Sequence, residues 1–272
     1  MLEAHIEQGG GTFVVLRPEG GRAFLTGRGG DTADKAKSQI ARLAERANDK
    51  RAQPYDRQEA IGALIAMKSV DATETLLRRF NFSSEPSITD REEKDMVFTA
   101  IVDAGAEILP ALRHQVKKAD TLGWPLRIAR AVLDDDAYVT EVLTWLAPWD
   151  TEYAKFIEPK LQILVALADV QHECVAPAIE RFLDDVNEEA RFNAVGALFA
   201  QGLTSVSPAL LEMLAGDESV RVRARIAEEL VTRRLPVPSD AWPRVRKGLP
   251  SGFSIDGEGY MTKRAVVELP WM

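Results

Sequence analysis

The stretch that decides the fold runs from Asn187 to Gly216, NEEARFNAVGALFAQGLTSVSPALLEMLAG. Ala194, Val195 and Leu198 follow Arg191 by three, four and seven positions, the spacing of one apolar helical stripe. Gly202 stands near the expected C-terminus of that helix, where a left-handed cap is easiest for glycine. Ser205 or Ser207 can cap a second helix with Pro208 in its first turn, and Leu210, Leu211 and Leu214 lie on one side of it. The segment therefore predicts a helical hairpin.

The same plan recurs along the chain. A basic residue sits early in the first helix at Arg57, Lys94, Arg127, Lys160, Arg191 and Arg223, at intervals of 37, 33, 33, 31 and 32 residues. Seven positions later an apolar anchor follows at Leu64, Ile101, Leu167, Leu198 and Leu230, whereas the unit of Arg127 has Leu133 one position early. Second helices are expected around Leu76, Leu77 and Phe80; Ile108, Leu109 and Leu112; Val139, Val142, Leu143 and Leu146; and Ile179, Phe182 and Leu183. The last second helix, within Ser239–Lys247, contains Pro243 and is expected to be short or to start at Ala241. One hairpin cannot bury its apolar face alone, and stacked neighbours can.

This pattern resembles HEAT repeats, including the short-motif bacterial form found in phycocyanin lyase-like proteins. The resemblance is carried by Asn187-Glu188-Glu189-Ala190-Arg191 with Ala194, Ala197-Leu198 and Gly202, and by Asp217-Glu218-Ser219-Val220-Arg221 with Ala224 and Leu230. It covers about residues 54–248 and implies an all-α fold, an α-solenoid of about five to six HEAT-like hairpins. The expected organisation is a β-hairpin-like segment over residues 1–30, the repeat array over 31–248 and a β-like tail over 249–272. Thr12–Arg17 and Arg22–Gly27 flank a Pro18-Glu19-Gly20-Gly21 turn. Ser251–Ile255 and Tyr260–Leu269 flank Asp256-Gly257-Glu258-Gly259. An isolated hairpin is marginal in water, so these segments are expected to cap the array or to mediate self-association by strand pairing.

Composition narrows the function classes. The net charge is −8 and the isoelectric point about 5.1, which argues against a phosphate backbone as ligand. Residues 218–272 hold ten Lys and Arg against seven Asp and Glu, too slight an excess to reverse that conclusion. No apolar run is long enough to span a bilayer, and the first residues lack the pattern of a signal peptide. A single cysteine, Cys174, fits a reducing cytoplasm.

Several constellations have residue types that could carry chemistry. His172-Glu173 resembles the His-Glu pairs of deoxyhypusine hydroxylase, a HEAT-repeat di-iron enzyme, yet there are three histidines in all and this one falls between helices. HEAT-like DNA glycosylases would need a basic groove beside aromatic residues such as Trp124, Trp145, Trp149 and Trp242, and the acidic balance opposes it. A bilin lyase-like accessory is the other enzyme-linked alternative. Gly27-Arg28-Gly29-Gly30-Asp31-Thr32 reads as a turn with Asp31 as helix N-cap. The runs Asp134-Asp135-Asp136 and Asp184-Asp185 read as inter-helix caps, and Arg221, Arg223 and Arg225 as a ladder to acidic turns. No catalytic residue, metal or cofactor is expected. The resemblance implies a binding protein whose second helices line a concave surface. Their candidate binding residues are Arg78, Arg79, Arg113, Lys117, Glu180 and Arg181, with Glu141 also outside the core. The expected partner is an acidic protein or peptide, with neither nucleic acid nor membrane.

Overall fold

The computed structural model describes residues 12–16, 22–26 and 29–264, which fall into two compact units, 1–108 and 109–272. It is mostly helical. The span 31–248 anticipated as one array falls in both units, and the 3-10 turn Gly105–Ile108 ends the first.

In the first unit, strands β1 (Thr12–Leu16) and β2 (Arg22–Thr26) pair antiparallel, from Thr12 opposite Thr26 to Leu16 opposite Arg22. The expected turn between them lies outside the described residues. Helix α1 (Gly29–Ala47) starts before Asp31, which therefore sits in its first turn and not at its cap. Then come α2 (Pro54–Ala66), α3 (Val70–Leu76) running into a 3-10 turn (Leu77–Asn81), and α4 (Ser87–Ala104). Helix α1 packs on α2 and α3, and α4 packs on both as well. Ile61, Leu64, Leu76, Leu77, Val97, Ile101 and Ile108 form the core.

The second unit contains α5 (Leu109–Val116), α6 (Gly123–Val132), α7 (Asp135–Leu146), α8 (Glu158–Leu167) and α9 (Val175–Ile179) with its 3-10 extension Glu180–Asp184. It continues with α10 (Glu188–Ala200), α11 (Pro208–Gly216), α12 (Val220–Arg233), α13 (Trp242–Gly248) and strands β3 (Phe253–Ile255) and β4 (Met261–Lys263). Alternate helices touch. Helix α6 packs on α8, α8 on α10 and α10 on α12; α7 packs on α9, the extension of α9 on α11, and α11 on α13.

The starts are set by side chains. Asp134, Asn187, Ser207 and Ser219 each accept a hydrogen bond from a backbone N–H in the following first turn. Pro159, Pro208 and Pro243 occupy first turns where no amide partner is missed. Gly202, at φ +74°, turns the chain left-handed just past α10. The close approach of α13 to α11 depends on Gly248, where a Cβ would stand 2.1 Å from the Ala215 carbonyl oxygen. The C-terminal strands lie on this last pair of hairpins: β4 packs on α12 and β3 on α13, and Trp242 Nε1 donates to the Val237 carbonyl at 2.8 Å.

Candidate binding surface

Two of the periodic cations, Lys160 and Arg191, point inward and stitch consecutive turns together, whereas Arg127 is exposed and stacks 4.9 Å from the Trp124 ring. Lys160 Nζ donates to the Asp150 carbonyl at 3.2 Å, before its own helix, and to Asp185 Oδ2 at 2.6 Å in the next inter-helix turn. Arg191 repeats the device one hairpin on. Its Nη1 donates to the Asp185 carbonyl at 2.9 Å, while Nε and Nη2 reach Asp217 at 2.9 and 3.1 Å and Nη2 also reaches Glu218. Arg223 Nη1 then donates to the Asp217 carbonyl at 2.6 Å. A long cationic side chain early in a first helix can reach both turns because its stem lies buried against the neighbouring hairpin. Of the three arginines expected to form a ladder, Arg221 reaches Glu188 of the preceding hairpin at 3.6 Å, Arg223 takes the turn carbonyl and Arg225 pairs within α12 with Glu229.

The first unit concentrates the same chemistry in one buried cluster. Arg57 Nε and Arg79 Nε both donate to Glu93 Oε2, at 2.7 and 2.8 Å, and both guanidinium groups reach Ser84 Oγ. Arg57 also binds the Ala52 carbonyl, ahead of its helix. Asp90 accepts from Arg79 at 2.6 Å and from Lys94 at 2.7 Å. Burial alone would raise the Asp90 carboxyl, but hydrogen bonds from Lys94, Arg79 and the Ser84 amide outweigh it and hold the group well below the usual carboxylate range.

These contacts correct two of the surface expectations. Arg79 is 0% exposed and belongs to the cluster just described. The reason is the 3-10 turn: at three residues per turn Arg79 eclipses Leu76, which is core, and so turns inward with it. Glu141 is also buried. It receives a forked pair from Arg113 (Nε to Oε1 2.8 Å, Nη2 to Oε2 2.6 Å) and Trp145 Nε1 at 2.7 Å. The Arg113 hydrogen bonds hold the Glu141 carboxyl below its ordinary range despite burial, and the same contacts push the Arg113 guanidinium up. Arg113 therefore presents an exposed edge whose charge is already compensated.

Arg78 in the first unit remains exposed, as do Lys117, Glu180 and Arg181 in the second. Arg181 stacks 4.5 Å over the Phe182 ring and donates to the Leu146 carbonyl. Of the six residues Arg79 lies inside, Arg78 belongs to the first unit, and Arg113, Lys117, Glu180 and Arg181 belong to the second.

The remaining constellations take structural places. His172 Nδ1 accepts from the Cys174 amide at 3.2 Å, and its Nε2 lies 3.5 Å from Asp136. Among the described residues no group of three or more His, Cys, Asp or Glu side chains is placed to hold a metal ion, and no helix is long and apolar enough to cross a membrane.

Sequence reasoning overlooked the turn before α8. Tyr153 and Phe156 stand 83% and 71% exposed there, and Val186, just before α10, and Val220, the first residue of α12, are more than half exposed. Their signal was available: large apolar residues in a segment with no helical period and flanked by acids.

Comparison with protein-family models, curated proteins and solved structures finds no match to this chain.

Proposed function

We propose that the chain is a non-catalytic scaffold or adaptor of the cytoplasm, a stack of HEAT-like helical hairpins that binds a protein partner along its surface. The observation that carries this reading is the lacing of successive turns by Lys160 and Arg191 in the second unit, with Arg223 bound to the carbonyl of the turn before its own helix. A cation that recurs every thirty-odd residues and ties its own turn to the next is the device of a repeat array, in which each hairpin is stabilised mainly by its neighbours. The alternate-helix contacts support the same reading. Those cations are also engaged by carboxylates and carbonyls, so they are not held ready for phosphates. Such a frame serves by offering surface, and Arg78, Lys117 and Arg181 keep charged heads exposed on the second helices.

The test is photo-crosslinking in the organism's own cells, with a photoreactive residue placed in turn at Arg78, Lys117 and Arg181. A discrete polypeptide adduct from at least one position is expected. Adducts to nucleic acid, or none at any position, would contradict the proposal.

A further inference from the structure

We propose that the turn edge of the second unit docks a positively charged polypeptide segment that carries apolar side chains. The inference rests on the chain being a protein-binding module, but concerns a different surface from the second helices.

Three consecutive turns make this edge, and their positions relative to one another are fixed by hydrogen bonds. Lys160 joins Asp150 to Asp185, the Val186 amide donates to the Thr151 carbonyl at 3.0 Å, and Arg191 joins Asp185 and Val186 to Asp217 and Glu218. The edge is therefore preorganised, which reduces the ordering cost of binding. On it stand Tyr153, Phe156, Val186 and Val220, each more than half exposed. Large aromatic side chains held in water beside a rigid frame are the usual anchors of a protein contact.

Charge selects the partner. Glu152, Asp184, Glu188, Glu189 and Glu218 are exposed along these turns, while among the described residues of the same stretches the exposed cations are Lys155, Arg181 and Arg221. Arg221 is already shared with Glu188. The inner carboxylates Asp185 and Asp217 are neutralised by Lys160 and Arg191, and Arg191 also reaches Glu218, so the excess negative charge at the rim rests on Glu152, Asp184 and Glu189 beside the apolar side chains. A cationic segment bearing apolar residues meets both features, and an acidic one would be repelled.

The probe is a short synthetic peptide alternating Lys with Leu, read by fluorescence anisotropy against the full chain. Peptides alternating Lys with Ser and Glu with Leu serve as controls. Two exposed-surface variants, Tyr153→Ser with Phe156→Ser and Glu152→Lys with Glu189→Lys, are compared by circular dichroism to show that folding is retained. The proposal expects the Lys-Leu peptide to bind, and to bind at least about tenfold more weakly to either variant. It is overturned if the Lys-Ser peptide binds as well, if both variants bind like the parent, or if no binding occurs. It is equally overturned if the parent forms a dimer that the Tyr153→Ser, Phe156→Ser variant abolishes, because a second copy is then the occupant. Failure here together with polypeptide adducts at Arg78, Lys117 or Arg181 removes the edge assignment and leaves the scaffold reading standing.

Discussion

Replacing Lys160 by Met keeps most of the stem's packing and deletes the charge. Lys160 is 1% exposed and Asp185 0%, with Nζ and Oδ2 2.6 Å apart, so the substitution strands a carboxylate with the Asn187 amide as its remaining donor. It also leaves the Asp150 carbonyl without its Lys160 contact. Breaking a buried pair by removing one partner costs about 3–5 kcal/mol, whereas removing both charges costs far less. Lys160→Met should therefore lower stability by about 3–5 kcal/mol. The double variant Lys160→Met, Asp185→Asn should lose only about 1–2 kcal/mol, the order of the hydrogen bonds that remain unmade. Urea unfolding at neutral pH measures all three forms, with the midpoint and slope fitted separately. A loss below about 1 kcal/mol for Lys160→Met, or a double variant no better than that single one, would refute the claim that this pair couples the two turns.

The other expectations are as direct. Arg191→Lys retains the charge but gives up the fork that reaches Asp217 and the Asp185 carbonyl together, so it should cost about 1–3 kcal/mol in the same urea experiment. Gly248→Ala drives a Cβ into the Ala215 carbonyl and should destabilise by about 1–3 kcal/mol in thermal unfolding, more than Gly202→Ala, whose site is roomy but left-handed. Because the folded Asp90 carboxyl titrates well below its ordinary value of 3.8, its stabilisation is complete above that value and is lost as pH falls toward the folded one. Asp90→Asn should therefore be destabilised most at neutral pH, and its deficit relative to the parent should shrink as acid unfolding is followed below about pH 4.

The helices and their buried faces were legible because their markers are local. Leu64, Ile101, Leu167, Leu198 and Leu230 are all buried, and Ser207 and Gly202 cap the helices they flank. Leu133 stands one position early because α6 is short: it is the residue that ends that helix, and is half-buried. What escaped the sequence depends on changes of period or on distant partners. Assuming 3.6 residues per turn through Leu77–Asn81 put Arg79 on the outside, and the 3-10 geometry brings it in. Glu141 looked solvated because its partner Arg113 lies 28 residues away on another helix. Asp134 caps its helix as expected, whereas Asn187 rather than Asp184 or Asp185 caps α10, and that Asp185 and Asp217 are the acceptors of Lys160 and Arg191 follows only from the packing of neighbouring hairpins.

The central claim, that these hairpins are repeat modules stabilised by their neighbours, is tested most directly by native-state hydrogen exchange on Leu214→Ala. Leu214 is fully buried in α11, and its truncation costs about 2–5 kcal/mol. A repeat array predicts faster exchange in α10 through α13, fading toward α8 and leaving α6 and α7 at parent rates. Equal acceleration in every helix of the second unit, α6 and α7 included, would show one indivisible core and contradict the account.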